Sequence, residues 1–314
     1  MSAEASTSTD MVVASRNVLA KHSRSFSWAS VFLPADRRDD ASVVYAMCRL
    51  IDDVADEAED ETRAEIQLGL LREELRGQRP ARPLVDQFLS VAERRNMDIT
   101  YALELIEGVE SDLGTVVFET DRELLRYCYR VAGTVGLMMC AVLGVDQREA
   151  LPHAIDLGVA MQITNICRDV LEDAERGRVY LPAERLRDAG TSPEAVLAGD
   201  ADRRAVADVV DDLLMLADEY YASADDGMRY IPAKCRLAIV VASRVYRAIG
   251  VKLRSNGSDA LAGRTIVGWA GKAWWVFLSL FAYTSPRVSG LGSYRKHDAA
   301  LHEDLRGLPG VLAG

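Results

Sequence analysis

The stretch MQITNICRDVLEDAERGRVYLP, residues 161–182, carries the pattern that decides the fold. Its polar residues Gln162, Asn165, Asp169 and Asp173 follow one another at spacings of three and four, and most residues between them are apolar. On an α-helix this spacing places them along one face. We therefore predict a largely buried helix that carries a single polar stripe.

A second stretch, VVYAMCRLIDDVADE at residues 43–57, repeats this arrangement. Asp52 and Asp56 are four residues apart, and Arg49 precedes Asp52 by three, so all three lie on one side of a helix. The residues before Arg49 are nearly all apolar. Like charges one turn apart repel each other, and burial increases the cost, so these carboxylates are expected to face a cavity or a ligand.

The rest of the chain also has helical periodicity. Prolines are widely separated, and apolar residues between them recur at spacings of three and four. One such series is Tyr101, Leu105, Ile106, Val109 and Leu113. Strand-like alternation and fixed repeats are not evident. We predict an all-α fold with one domain over residues 16–285, a flexible tail over 1–15 and a polar tail over 286–314.

Composition excludes several classes of protein. Of 314 residues, 49% are hydrophobic and 27% charged, which is typical of a globular chain with a sizeable core and not of a disordered one. The net charge is −11, whereas nucleic-acid-binding proteins usually carry an excess of positive charge. Phosphate-binding P-loop, Rossmann, zincin and α/β-hydrolase motifs are missing from the sequence.

Cysteine usage and hydropathy bear on the compartment. The five cysteines form no CxxC pair and, with four histidines, are too scattered for a zinc module, so reduced thiols in a cytoplasmic protein are expected. The first fifteen residues lack the features of a signal peptide. The apolar stretch Ile266–Tyr283 contains Lys272 and barely reaches the ~20 residues of a spanning helix, so we expect a buried helix or one at a membrane surface.

Two carboxylate stripes on apolar helices suggest a chemistry. Each pair alone is compatible with a solvated helix face, but four carboxylates converging on a cavity require positive charge. Mg²⁺ prefers a few carboxylates and fills its remaining positions with water and phosphate oxygens. Arginines flank both stripes and suit the remaining phosphate charge; they are Arg49, Arg168, Arg176 and Arg178. The residues therefore predict a site for Mg²⁺ and a diphosphate.

Four segments resemble the squalene/phytoene synthase family, whose members join prenyl diphosphates head to head. These segments are HSRSFSWASVFLP (22–34), YAMCRLIDDVADE (45–57), YCYRVAGTVGLMMCAVLG (127–144) and QITNICRDVLEDAERGRVYLP (162–182). The resemblance implies the isoprenoid synthase fold, a helical bundle around a central cavity. It also implies an ionised allylic diphosphate that attacks a second prenyl diphosphate to give a cyclopropylcarbinyl diphosphate, and then a linear hydrocarbon.

The same resemblance implies site residues. Those implied to bind Mg²⁺, with Mn²⁺ as the alternative ion, are Asp52, Asp56, Asn165, Asp169 and Asp173; the catalytic set is the four aspartates with Arg49. Those implied to bind substrate are His22, Ser23, Arg24, Ser25, Phe26, Tyr45, Arg49, Tyr127, Gln162, Asn165, Arg168, Tyr246 and Arg264. Without the family, His22 and Ser25 could equally be a helix cap, and Tyr246 a core residue.

Within the family, the segments VAGTVGLM and GRVYLP look most like phytoene synthases, which use two geranylgeranyl diphosphates. Ser30 and Ser42 stand where relatives with shorter substrates often have bulky aromatics, and small side chains leave room for a longer chain. The alternatives are dehydrosqualene or squalene formation from farnesyl diphosphate, the latter requiring NADPH. A terpene cyclase or a non-catalytic relative fits less well, since all four aspartates and both flanking motifs are present.

The expected partners follow from this interpretation. They are prenyl diphosphate substrates and, for release of the apolar product, the inner face of a membrane; nucleic acid is not expected. The sequence does not indicate an oligomeric state.

Overall fold

The protein is described by a computed structural model over residues 31–289 and 295–312. Thirteen α-helices occur in these two ranges. In chain order they are α1 Ala35–Asp56, α2 Glu61–Leu75, α3 Pro83–Arg94, α4 Thr100–Glu110, α5 Asp121–Cys128, α6 Thr134–Leu143, α7 Leu151–Glu175, α8 Ala183–Asp188, α9 Pro193–Ala198, α10 Arg203–Gly227, α11 Ala233–Ser255, α12 Trp269–Thr284 and α13 Pro286–Ser289. The predicted all-α fold is confirmed.

Short elements join the helices. Strands β1 Val116–Val117 and β2 Arg178–Val179 pair in parallel, with Val116 opposite Arg178. A π-helical turn, Tyr129–Gly133, links α5 to α6, and single 3₁₀ turns occupy Arg148–Ala150, Met228–Tyr230, Ala260–Ala262 and Ala299–His302. The β pair is too short to be visible as alternation in the sequence, and it brings the loop after α4 beside the loop after α7.

Local sequence sets the ends of the helices. Thr120 accepts a hydrogen bond from the backbone N–H of Glu123 at the start of α5, and Asp202 accepts from two backbone N–H groups at the start of α10. Gly144 ends α6 in the left-handed conformation, which glycine adopts without steric cost.

Helix α7 forms the centre of the bundle. Its buried residues Ile155, Val159, Ile163 and Cys167 belong to the largest hydrophobic core cluster of the described residues, which it shares with α5 and α10. The second cluster joins α1 through α4 to α6. Because α7 packs against so many elements, its polar residues outside the stripe, such as His153 and Asp156, are buried.

Two glycines permit the close approach of α6 to α7. A methyl group on Gly136 would lie 2.3 Å from the carbonyl oxygen of Ala154, and one on Gly158 would lie 2.3 Å from that of Ala132. These separations are far below van der Waals contact, so a larger residue at either position would force the helices apart.

The segment after Pro286, which the sequence predicts to be a polar tail, contributes to the core over residues 295–312. Leu305 is fully buried, and Tyr220 of α10 donates a hydrogen bond to the carbonyl oxygen of Leu301. Among the helices in the described ranges, none combines the length and the apolar character needed to cross a bilayer.

Candidate active site

A cavity of about 330 Å³ runs along α7 between α1, α6 and α11. Its walls are mainly apolar, formed by residues such as Val44, Met139, Leu157 and Met161. The side chains with polar groups along the walls are Tyr45, Asp52, His153, Gln162, Asn165 and Tyr246. An apolar cavity with a few polar groups suits a ligand that has a long hydrocarbon part and a polar head.

The two carboxylate stripes lie on helices that both border this cavity. Asp52 of α1 and Asn165 of α7 line it, and Asp56, Asp169 and Asp173 continue the two helix faces beyond the lining. The predicted helical placement of all five residues is therefore confirmed. Their roles as metal ligands stay a prediction.

Arg178 connects the two stripes. Its Nη2 lies 3.9 Å from Oδ1 of Asp56 on α1, and its positive charge partly opposes the rise in the pKa of Asp173 on α7. Among the described residues, the four aspartates form no group of three or more whose carboxylate oxygens all lie within 4.8 Å of one another.

Burial raises the pKa of Asp52 to about 7. The charge of Arg49 opposes this rise, and the neighbouring charges of Asp56 and Asp53 add to it. The carboxylate is thus held in surroundings that favour its neutral form unless positive charge is brought close.

Burial likewise raises the pKa of Asp173 to about 7. Repulsion from Asp169 adds to the rise, and attraction to Arg178 reduces it. Both helix faces therefore offer a carboxylate that a divalent cation would stabilise in its charged form.

Arginines predicted to bind substrate pair with carboxylates of the site. Arg168 donates from Nε to Oδ1 of its sequence neighbour Asp169 at 2.7 Å, and Arg264 donates to Glu172 at 2.9 Å. Arg49 forms its ion pair with Asp53, although the helical spacing had suggested Asp52 as its neighbour. The site therefore already holds three positively charged arginine side chains beside its carboxylates.

Within residues 31–289 and 295–312, two buried polar atoms at the site have no hydrogen-bond partner. They are Oδ1 of Asn165, a neutral oxygen acceptor, and Nε of Arg49, a charged donor. An orphaned amide oxygen beside carboxylates suits a hard cation, and an orphaned guanidinium N–H suits a phosphate oxygen. The donor set thus fits Mg²⁺ together with a diphosphate.

Sequence reasoning missed Asp112, which follows α4. The hydroxyl groups of Tyr127 and Tyr180 both donate to its carboxylate, the second at 2.9 Å, and the two rings stack with centroids 5.1 Å apart. Burial raises the pKa of Asp112, and these two hydrogen bonds oppose the rise. Tyr127 is among the predicted substrate-binding residues, and the position of Tyr180 inside the GRVYLP segment is a second signal for this group.

Several predicted residues cannot be placed. His22, Ser23, Arg24, Ser25, Phe26 and Ser30 lie outside the described residues. Ser42 is fully buried on α1, where its hydroxyl donates to the carbonyl oxygen of Arg38.

Comparison with known proteins adds independent information. The sequence profile of the family described as Squalene/phytoene synthase matches residues 19–270. A 15-cis-phytoene synthase from Paracoccus sp. (strain N81106 / MBIC 01143) is 35% identical over 298 residues, covering 91% of this chain and 96% of the relative. A phytoene synthase from Pseudescherichia vulneris is 39% identical over 255 residues, covering 77% and 82%.

Among solved structures, a dehydrosqualene synthase in complex with a ligand superposes with a TM-score of 0.79 at 25% identity. The match covers 88% of this chain and 97% of that structure. The similarity thus extends over most of the chain.

Proposed function

The chain belongs to the squalene/phytoene synthase family of prenyltransferases, and we propose that it joins two geranylgeranyl diphosphates head to head to form phytoene, the first step of carotenoid biosynthesis. One observation carries this proposal. The apolar cavity opens at two helix faces bearing carboxylates, so a long hydrocarbon chain and its diphosphate each find matching surroundings.

The aspartates hold the cation for the diphosphate. Asp52 and Asp56 would bind it from α1, and Asn165, Asp169 and Asp173 would bind it from α7. Mg²⁺, or Mn²⁺ in its place, supplies positive charge that lets the diphosphate leave as an allylic cation forms. The elevated pKa values of Asp52 and Asp173 mean that cation binding displaces protons from these carboxyl groups near neutral pH.

The arginines would hold the diphosphate itself. Arg49 has a buried Nε–H that no described residue contacts by a hydrogen bond, and Arg168 and Arg264 both pair with Asp169. When a diphosphate arrives, these guanidinium groups can contact its oxygens, because each has more donors than its carboxylate partner uses. Charge developing on the leaving group is thereby stabilised.

The cavity wall protects the reaction. The allylic cation attacks the double bond of the second substrate to give the cyclopropylcarbinyl diphosphate, and a second ionisation, rearrangement and proton loss give phytoene. Walls such as Val44, Leu157 and Met161 exclude the water that would otherwise capture either cation. Tyr45, Gln162 and Tyr246 present their polar groups along the same cavity, where they would orient the substrate.

We propose that the protein acts in the cytoplasm at the inner face of the membrane. All five cysteines are free, which fits a reducing compartment. Helix α12 exposes Trp269, Trp274, Phe277 and Phe281, and its aromatic side chains suit the interfacial layer of a bilayer. Residues 260–297 contain five Lys or Arg and no Asp or Glu, which suits anionic lipid.

Product analysis tests the proposed reaction. The purified protein is incubated with Mg²⁺ and either geranylgeranyl or farnesyl diphosphate, with and without NADPH, and the products are identified by mass. Phytoene from geranylgeranyl diphosphate without NADPH is the expected result. Dehydrosqualene or squalene from farnesyl diphosphate, with no phytoene, would contradict the assignment, and a need for NADPH would identify squalene formation.

A further inference from the structure

A histidine cluster surrounds one buried carboxylate, that of Asp156 on α7, which has no exposed surface. Nε2 of His302 lies 2.7 Å from its Oδ1, and Nε2 of His297 lies 2.9 Å from its Oδ2. Ser223 of α10 also contacts Oδ2, at 2.5 Å, and is in turn 3.0 Å from Nδ1 of His153. Three of the four histidines in the chain are thus connected through Asp156.

The hydrogen bonds fix where the protons lie. Burial alone would raise the pKa of Asp156, but the bonds from His297 and His302 outweigh this and lower it, so the carboxylate is ionised and only accepts. Ser223 must then donate to Asp156, and its oxygen accepts from Nδ1–H of His153. Burial also lowers the pKa of His153, whose ring is therefore neutral at pH 7.

His153 lies in the part of the cavity remote from the aspartates. Both His153 and Asn165 line it, and twelve residues of helix separate them by about 18 Å along α7. The lining also includes Gly227, which contacts His153, and Met228, which follows it. This is the region that the last isoprene unit of a long prenyl chain would reach when its diphosphate is held at Asp52 and Asp173.

The position of the ring is tightly constrained. A methyl group on Gly227, at the end of α10, would lie 2.2 Å from Cβ of His153, so the backbone of α10 presses against this side chain. The ring of His297 also packs edge-on against that of His153, with centroids 5.2 Å apart. The C-terminal segment 295–312 therefore takes part in shaping the cavity.

We propose that His153 determines the length of prenyl chain the cavity accepts, and that Asp156, acting through Ser223 and together with His297 and His302, is the positioning group for its ring. The inference rests on the proposed prenyl diphosphate substrate. Nδ1–H of His153 has its hydrogen-bond acceptor in Ser223 and needs no water. The ring can therefore form the end wall of an apolar cavity without leaving a buried donor unpaired, which would cost free energy.

A divalent metal is the competing occupant of this cluster. One carboxylate oxygen and two imidazole nitrogens lie within 4.8 Å of one another, which is a plausible ligand group. Each of these atoms already has a hydrogen-bond partner, so the cluster is complete without an ion. Elemental analysis distinguishes the two, and stoichiometric zinc in the purified protein would overturn the hydrogen-bonded network.

The test measures binding without turnover. Thiodiphosphate analogues of farnesyl, geranylgeranyl and geranylfarnesyl diphosphate, which ionise poorly, are titrated calorimetrically into the protein with Mg²⁺. His153→Ala should improve binding of the geranylfarnesyl analogue relative to the geranylgeranyl one by about tenfold, since it opens space for one more isoprene unit. Gly227→Ala should push the ring into the cavity. It should therefore weaken binding of the geranylgeranyl analogue and leave binding of the farnesyl analogue unchanged.

Positioning is tested by Asp156→Asn, which keeps the shape of the side chain. This variant should increase the affinity for the geranylfarnesyl analogue relative to that for the geranylgeranyl analogue, as His153→Ala does. Tyr220→Phe is the matched control, because it removes a hydrogen bond to the same C-terminal segment, at Leu301, that is not one of the bonds of the network; it should lower the Tm but leave the ratio unchanged.

The outcomes separate the two proposals. If no analogue binds the unmodified protein, the prenyl diphosphate function itself is wrong. If the analogues bind but the ratio is unchanged in folded His153→Ala and Gly227→Ala, the assignment of His153 is overturned. If Asp156→Asn lowers the Tm but leaves the affinity ratio unchanged, Asp156 has a structural role only and does not position His153.

Discussion

The guanidinium group of Arg264 lies 3.2 Å from the carboxylate of Asp169, measured from Nε to Oδ1. Arg264 is about 43% exposed, whereas Asp169 is only 16% exposed on α7. A residue proposed to bind diphosphate thus neutralises a residue proposed to bind metal. When both ligands are bound, the arginine can exchange this carboxylate for a phosphate oxygen without moving far.

Arg264→Ala is therefore expected to weaken substrate binding and slow ionisation. The loss of one charged, directional donor to the diphosphate should reduce kcat/KM by about tenfold or more. Steady-state kinetics over a range of Mg²⁺ concentrations measures it, with Arg204→Ala on the surface of α10 as control. Unchanged kinetics would leave Arg264 as a partner of Asp169 and Glu172 only.

Replacement of Asp52, Asp56, Asp169 or Asp173 by Asn should abolish turnover and leave the helical structure intact. At Asp52, Asp56 and Asp173 the change removes one of several repelling carboxylates, so the metal-free protein should not be destabilised; Asp169→Asn also weakens the ion pairs with Arg168 and Arg264 and should lower the Tm. Activity, circular dichroism and Tm are measured for each variant beside Asp208→Asn, an exposed position on α10. Near-normal turnover in any of the four would exclude that aspartate as an essential ligand.

The pKa values near 7 predict how stability depends on pH. Asp173 has its pKa raised from 3.8 to about 7 in the folded protein, so the folded state holds this proton more tightly than the unfolded chain. The stabilisation of the folded state by this protonated carboxyl group is fully present below pH 3.8 and is lost as the pH rises through about 7.

In the absence of metal, the Tm of Asp173→Asn minus the Tm of the unmodified protein should thus increase as the pH rises from about 5 to about 8. Added Mg²⁺ should reverse the difference at the higher pH, since it stabilises the charged carboxylate. A Tm difference that is constant over this range would show that Asp173 titrates normally.

Helix α12 should bind anionic vesicles. Changing Trp274 and Phe277 to Ser removes exposed aromatic surface, and co-sedimentation with phosphatidylglycerol vesicles should fall while activity on detergent-dispersed substrate is retained. Met215→Ser, an equally exposed apolar side chain on α10, is the control and should leave sedimentation unchanged. Equal sedimentation of all three proteins would remove α12 as the contact surface.

Much of the site could be predicted from local periodicity. Gln162, Asn165, Asp169 and Asp173 lie on one face of α7 as their spacing indicates, because helix geometry alone relates residues three and four apart. The same reasoning correctly placed Asp52 and Asp56 on one helix.

Contacts between distant segments could not be predicted in this way. Asp112 meets Tyr180 through a β pair of only two residues per strand, and Asp156 meets His302 across 146 positions of sequence. Neither contact leaves a periodic signal. The polar composition of the C-terminal segment likewise concealed Leu305, which a single turn buries against α7 and α10.

The polar faces of α1 and α7 are expected to collect the cations and the diphosphate between them. Crystals grown with Mn²⁺ and geranylgeranyl thiodiphosphate test this directly, because Mn²⁺ can be located by its anomalous scattering. We expect Mn²⁺ between the diphosphate and the carboxylates of Asp52, Asp56, Asp169 and Asp173. Mn²⁺ bound only at Asp156 and its histidines, or a diphosphate held away from both aspartate pairs, would contradict it.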